Sequence, residues 1–450
     1  MKQLFFLLLF PVFSFSIMGQ HEHHQRRDTV PVKKVDSSMK NHSPKETDHG
    51  MHMMPSHAFS RNLPMSRNAS GTSWNPDATP MYMAVKQGKK TDWMFHGNIY
   101  LRYTNHDIFS EGSRGDEIID APNWFMLMMN RKTGKKGLLN ATLMLSLDPL
   151  TEGGNGYPLL YQSGETYKGQ PLIDRQHPHD LFSALSIGYT YMINKEMDVF
   201  GYIGYPGEPA LGAPAFMHRI SSVNNPDAPL GHHWQDATHI TFGVATLGFR
   251  YDKFKLEGSS FTGREPDENR YGFDEPKFDS YSFRISYNPS SNWAMQFSQG
   301  FINSPEALEP DVDVTRTTAS VLYARHLNST NHLTVAAIWG LNDKENHNEN
   351  SFLVEGNLQF NRNAVYSRYE FVQKSKHELN LDDNYPDKNF NVNALTMGYN
   401  RRLTRWKPVE LLAGAQSTIY KSPMELRELY GKWPVALEVY FQLRPSLHKH

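Results

Sequence analysis

Between residues 93 and 444 the chain returns again and again to strict alternation of apolar and polar residues, and the links between these segments are short and long in turn. No other feature narrows the fold as far. Trp93, Phe95, Ile99, Leu101 and Tyr103 alternate with Met94, His96, Asn98, Tyr100 and Arg102, giving a strand one apolar and one mostly polar face. The period recurs over 139–147, 281–287, 293–297, 333–341 and 352–360, and ends with Val435, Leu437, Val439, Phe441 and Leu443 set between Glu438, Tyr440, Gln442 and Arg444. Weaker segments lie near 123–130, 181–192, 199–205, 238–251, 254–262, 315–326, 364–372, 392–400 and 409–420. Sixteen strands are predicted, within a range of fourteen to eighteen.

The links at 131–137, 193–198, 252–253, 288–292, 327–331, 361–363 and 401–408 are short. Those at 104–122, 148–180, 206–237, 263–278, 302–314, 342–351, 373–391 and 421–434 are mostly longer. A water-soluble sandwich has no reason to alternate in this way, whereas a transmembrane β-barrel has short periplasmic turns and long outer loops. The expected fold is therefore all-β, an antiparallel transmembrane barrel over 93–444 in a bacterial outer membrane, surrounded by lipid. The first link is long, so strand one runs outward and both termini, with a tail at 445–450, are expected in the periplasm. Past residue 18 no run of eighteen apolar residues occurs, which excludes a bundle of membrane helices. With 46 basic against 47 acidic residues, the chain has no global attraction for nucleic acid.

Residues 1–19 read as a secretory signal peptide: Lys2, then a mostly apolar stretch from Leu4 to Met18 ending at Gly19. Residues 20–92 are polar, proline-punctuated and without periodicity, and are predicted to form a flexible periplasmic arm. Within the arm, residues 20–57 hold seven histidines and four methionines. Imidazole suits copper, zinc and nickel, and thioether sulfur suits cuprous copper. His21, His23, His24, His49, Met51, His52, Met53, Met54 and His57 are accordingly candidate ligands for copper, silver or zinc; the alternative is a spacer that binds metals weakly.

Six further histidines fall between 177 and 239. His177, His179, Asp180, His218, His232, His233, Asp236 and His239, with Glu208 nearby, offer more donors than a divalent ion needs. They lie at the outer ends of strands four and six and in the loop between five and six, so they can converge at the barrel mouth or line an inward fold. The alternative is a hydrogen-bonded scaffold that holds that loop. Ile240, Phe242 and Val244 are expected to face lipid, placing His239 and Thr241 toward the lumen.

Catalytic signatures fail in detail. The chain has no cysteine. His21-Glu22-His23-His24-Gln25 lacks the second histidine of a zinc protease. Gly207 to Gly212 is followed by Ala213-Pro214, so it is no phosphate loop, and Gly-x-Ser-x-Gly is absent. No catalytic residue or further cofactor is expected, although a hydrolase assembled across strands would leave no linear motif.

Asp174-Arg-Gln-His-Pro-His-Asp180, Tyr205-Pro-Gly-Glu-Pro-Ala-Leu-Gly-Ala-Pro-Ala-Phe-Met-His-Arg219 and Leu230-Gly-His-His-Trp-Gln-Asp-Ala-Thr-His-Ile-Thr-Phe-Gly243 resemble a family of bacterial outer-membrane β-barrel proteins often encoded beside copper or other heavy-metal efflux genes. The architecture is also similar to the copper-resistance B outer-membrane proteins, from which the short, methionine-poor arm departs. The resemblance adds a genomic context and no mechanism; the first reading, from the donor residues, is a barrel that handles copper or a related metal, with capture by the arm, passage or retention by the barrel, and periplasmic efflux components as partners. The other reading is a general porin-like solute channel with no metal role.

Overall fold

The computed structural model describes residues 55–344 and 347–448. The signal peptide, arm residues 20–54 and the last two residues of the expected tail lie outside the described residues. Among the described residues sixteen long antiparallel strands close into one barrel. In chain order β1 to β16 are Thr91–His106, Asn123–Thr133, Gly137–Leu145, Phe182–Met192, Met197–Gly204, Val244–Tyr251, Phe254–Phe261, Ser280–Ser290, Trp293–Ile302, Val314–His326, His332–Lys344, His347–Phe360, Asn363–Lys374, Phe390–Trp406, Val409–Lys421 and Val435–Pro445. The barrel closes where Ile99–His106 of β1 pairs with Ala436–Leu443 of β16, while Thr91–Ile99 pairs with β2. Two short strands, Ala84–Lys86 and Glu117–Asp120, add to β1 where its neighbours leave it unpaired.

The period-two pattern maps onto this wall. On β1 Trp93, Phe95, Leu101 and Tyr103 are exposed, while Met94, Asn98, Tyr100 and Arg102 are buried. On β16 Leu437, Val439 and Phe441 face out, and Glu438, Tyr440, Gln442 and Arg444 face in. An apolar exterior around a polar interior is the inverse of a soluble domain and suits lipid. The short turns appear as expected. The link expected at 342–351 is absorbed by β11 and β12, which run on to Lys344 and resume at His347.

Two expectations are corrected. The first concerns residues 55–90, assigned to the flexible arm. Most of this segment is folded and buried inside the barrel. Ala58, Phe59, Met65, Met81 and Met83 pack into a core with wall residues, and the wall also supplies polar partners: Ser60 donates to Asp198 at 2.6 Å, Asn130 donates to the Ser56 carbonyl at 2.9 Å, and Asn288 donates to the Asn75 carbonyl at 2.9 Å. Trp74 is held between the cations of Arg67 and Lys255, at 4.8 and 4.7 Å. The segment also reaches the chain end, because His448 donates its backbone N–H to Met81 at 2.8 Å, so the expected free tail is tied down.

The second correction concerns 238–243, expected as the start of strand six. β6 begins only at Val244; Ala237–His239 is a turn of 3-10 helix, and Gly243 takes a positive φ of 103° that breaks the extended run. Ile240, Phe242 and Val244 are therefore buried, and Leu247 and Phe249 carry the lipid-facing parity.

The connection over 205–243 folds into the lumen and is anchored by charge. Arg219 bonds Glu355 of β12 at 2.8 Å and Asp236 of its own loop at 2.6 Å. Asp227 meets Arg102 of β1 at 2.8 Å. Such buried pairs leave an uncompensated charge if one partner is removed, which makes the loop path costly to alter.

Candidate functional site

Two connections bring these histidines together, the one before β4 and the inward loop. The hairpin Tyr157–Tyr167 with Gln170–Gln176 leads into His177 and His179, the short helix His232–Gln235 carries His232 and His233, and the following turn carries His239. Gly164 of the hairpin has φ +109°, and a Cβ there would lie 2.4 Å from Cε1 of His233, so the hairpin can pass the imidazole only with glycine at this position.

One ring nitrogen from each of His177, His232 and His233 lies within 4.8 Å of the other two, and all three residues are buried. The ring centres of His232 and His239 are 5.0 Å apart, and those of His179 and His239 are 5.5 Å apart. In all five residues Nδ1 is engaged. It faces Glu165 at 3.2 Å in His177, Asp148 at 2.7 Å in His179, Asp236 at 2.5 Å in His232, Glu265 at 3.3 Å in His233, and the Asp236 carbonyl at 2.9 Å in His239. In all five Nε2 is buried with no hydrogen-bond partner. Holding Nδ1 with a carboxylate or carbonyl while leaving Nε2 free is how proteins orient imidazoles toward a metal.

The electrostatics fit. Burial, helped by the Arg270 charge, keeps the pKa of His177 well below the ordinary imidazole value. Burial likewise lowers His239, and lowers His232 despite the Asp236 carboxylate. At neutral pH these three rings are uncharged. For His233 burial opposes the charged form, but the Glu265 carboxylate outweighs it and the pKa is raised. Tetrahedral coordination with 2.0–2.1 Å bonds has edges of about 3.3 Å, so binding would draw the three rings inward by about 1 Å.

The other candidates are distributed around this centre. Asp180 faces Arg270 at 3.4 Å, and Asp236 bridges His232 and Arg219, so both orient or balance charge. His218 has its ring centre 4.9 Å from Trp124 and lines a cavity with Glu208 and His239. His57 is buried in the lumen, where its Nδ1 accepts the Phe59 N–H at 2.9 Å. His21, His23, His24, His49, Met51, His52, Met53 and Met54 lie outside the described residues. The sequence reading missed Glu165 and Asp148, which lie in the same connection as His177 and His179 but 12 and 31 residues before them, and Glu265, which comes from another loop.

No family model matches the chain, and no curated protein matches it. Solved structures with a similar fold include OmpF of Salmonella typhi in complex with daunomycin, at 9% identity over 80% of this chain and 100% of that one, TM-score 0.49. An anion-selective porin from Comamonas acidovorans matches at 9% identity over 79% and 100%, TM-score 0.45. OmpT, an outer membrane protein of Vibrio cholerae, matches at 11% identity over 79% and 99%, TM-score 0.44. The fold that the chain shares with these structures is the closed antiparallel barrel described above.

Proposed function

We propose that this barrel binds a transition-metal ion inside its lumen, at His177, His232 and His233, with His179 and His239 adjoining, and so takes part in handling copper or a related metal. One observation carries the reading: five buried imidazoles share one orientation, Nδ1 held and Nε2 free. Neutral imidazoles select copper, zinc or nickel over magnesium or calcium. Glu165, Glu265 and Asp236 balance a divalent charge in a buried place. The histidine-rich arm would supply ions to the barrel or receive them, and periplasmic efflux components would be partners on that side. The test is zinc(II) and copper(II) titration of the full chain in detergent, with His177→Gln plus His232→Gln as comparison. The double variant is expected to lose one bound equivalent while the arm's binding persists; identical stoichiometry and affinity would overturn the reading.

A porin-like solute channel is the second reading, favoured by the strand number, since sixteen-stranded barrels are wide enough for an aqueous pore. A cavity of about 550 Å³ also opens beside Glu309, Lys344, Glu349 and Leu381. The two readings separate in planar bilayers. A solute channel passes steady current as purified, whereas a lumen filled by residues 55–90 and 205–243 passes little until Trp74→Ala loosens the inner segment.

A further inference from the structure

A second set of donors lies in the lumen, in a cavity of about 70 Å³ that the histidine centre does not line. Met65, Met81 and Met83 of the inner segment, Met126 and Met128 of β2 and Met217 of the inward loop face it, together with His96 of β1. Three separate parts of the chain thus bring methionine to one place. On β1 and β16 the inward parity is mostly polar, as a barrel interior ordinarily is, whereas on β2 it presents thioethers at Met126 and Met128. Filling space alone would be served as well by leucine, and no leucine lines the cavity.

The donor chemistry is specific. The chain has no cysteine, so thioethers are its only sulfur ligands. No aspartate or glutamate lines the cavity, and its one arginine, Arg444, is paired with Glu410 at 3.0 Å. A divalent ion would find neutral donors there, His218 and Asn98 among them, but no carboxylate to balance its charge, while a soft monovalent ion would lose less hydration and gain sulfur. The Nε2 of His96 is buried without a partner. Met217 also lines a neighbouring cavity that His179 shares, so the two sets of donors approach each other through the inward loop.

We propose that this methionine cavity is a binding site for a soft monovalent metal ion, cuprous copper or silver, held by thioethers of Met126, Met128, Met217 and the inner-segment methionines with His96 as a nitrogen ligand. The site shares no ligand with the histidine centre and does not depend on it. Silver(I), stable in air, is the probe. Full-length protein in chloride-free detergent is loaded, desalted and analysed for bound silver, and compared with the triple variant Met126→Leu, Met128→Leu, Met217→Leu. Leucine keeps the volume and removes the donor. The expected result is one silver equivalent fewer, or an affinity at least tenfold weaker, with zinc stoichiometry unchanged. If the triple variant is not recovered as a closed barrel, Met81→Leu with Met83→Leu alters only the inner segment and should show the same loss. Either folded variant keeping its full silver complement, or losing zinc together with silver, would overturn the separate site and leave the methionines as packing.

Discussion

Nδ1 of His232 lies 2.5 Å from the Asp236 carboxylate, four residues on, and the same carboxylate holds Arg219 at 2.6 Å. Asp236 therefore ties the orientation of a candidate ligand to the anchor of the whole inward loop on β12. Removing it should affect metal and fold together, whereas Glu265, which faces His233 at 3.3 Å, should affect the metal alone.

Glu265→Gln is expected to weaken zinc or copper(II) binding by about 10–100-fold with little change in thermal unfolding, the usual scale for a partner that orients a ligand. Asp236→Asn should show a similar loss of affinity together with a clear drop in unfolding temperature, because Arg219 then keeps Glu355 as its one carboxylate partner, beside the Pro214 carbonyl. Competition titration beside a melting curve for each variant checks this; equal melting losses in both would contradict it.

Glu208 gives a pH dependence. Burial, against the nearby Arg284 charge, pushes its pKa up to about 8, while the unfolded chain titrates near about 4.3. Across that window the folded state keeps a proton the unfolded state has lost, so stability associated with Glu208 is complete at low pH and is lost as pH rises toward and through 8. Glu208→Gln should match the parent near pH 4 and unfold at a higher temperature than the parent at pH 9. Parallel melting curves at both pH values would contradict the burial argument.

Topology is tested from outside the cell. Gly134 lies in a short turn and Asn155 in a long connection, and both are exposed. An epitope inserted at Asn155 should be labelled in intact cells and one at Gly134 only after permeabilisation. The reverse pattern would invert the barrel and place the arm at the cell surface.

The wall was legible because its signal is local: the alternation of Trp93, Phe95 and Leu101 with Met94, Asn98 and Arg102 needs only the pleat of a strand, and β1 follows it residue by residue. The interior was not. Residues 55–90 have no period because their order comes from distant wall groups such as Asp198 and Asn288, which a linear reading cannot pair with Ser60 or Asn75. The step at Gly243 likewise reversed the parity expected for Ile240 and Phe242. The histidines were found by residue type and clustering, but their partners Glu165 and Asp148, earlier in the same connection, and Glu265, on another loop, have no fixed spacing to them and became visible only in three dimensions. His218 was grouped with the other histidines by proximity in sequence, while in space it joins Trp124 and lines the methionine cavity.

The most direct test of the metal centre is anomalous scattering from crystals of the full chain soaked in zinc(II), with data on both sides of the zinc edge. The expected result is a peak inside the barrel about 2.0–2.1 Å from Nε2 of His177, His232 and His233, with the three rings drawn together around it. A crystal in which zinc occupies other positions, while these three nitrogens stay apart with no peak between them, would contradict the central claim and leave the histidines as a scaffold for the inward loop.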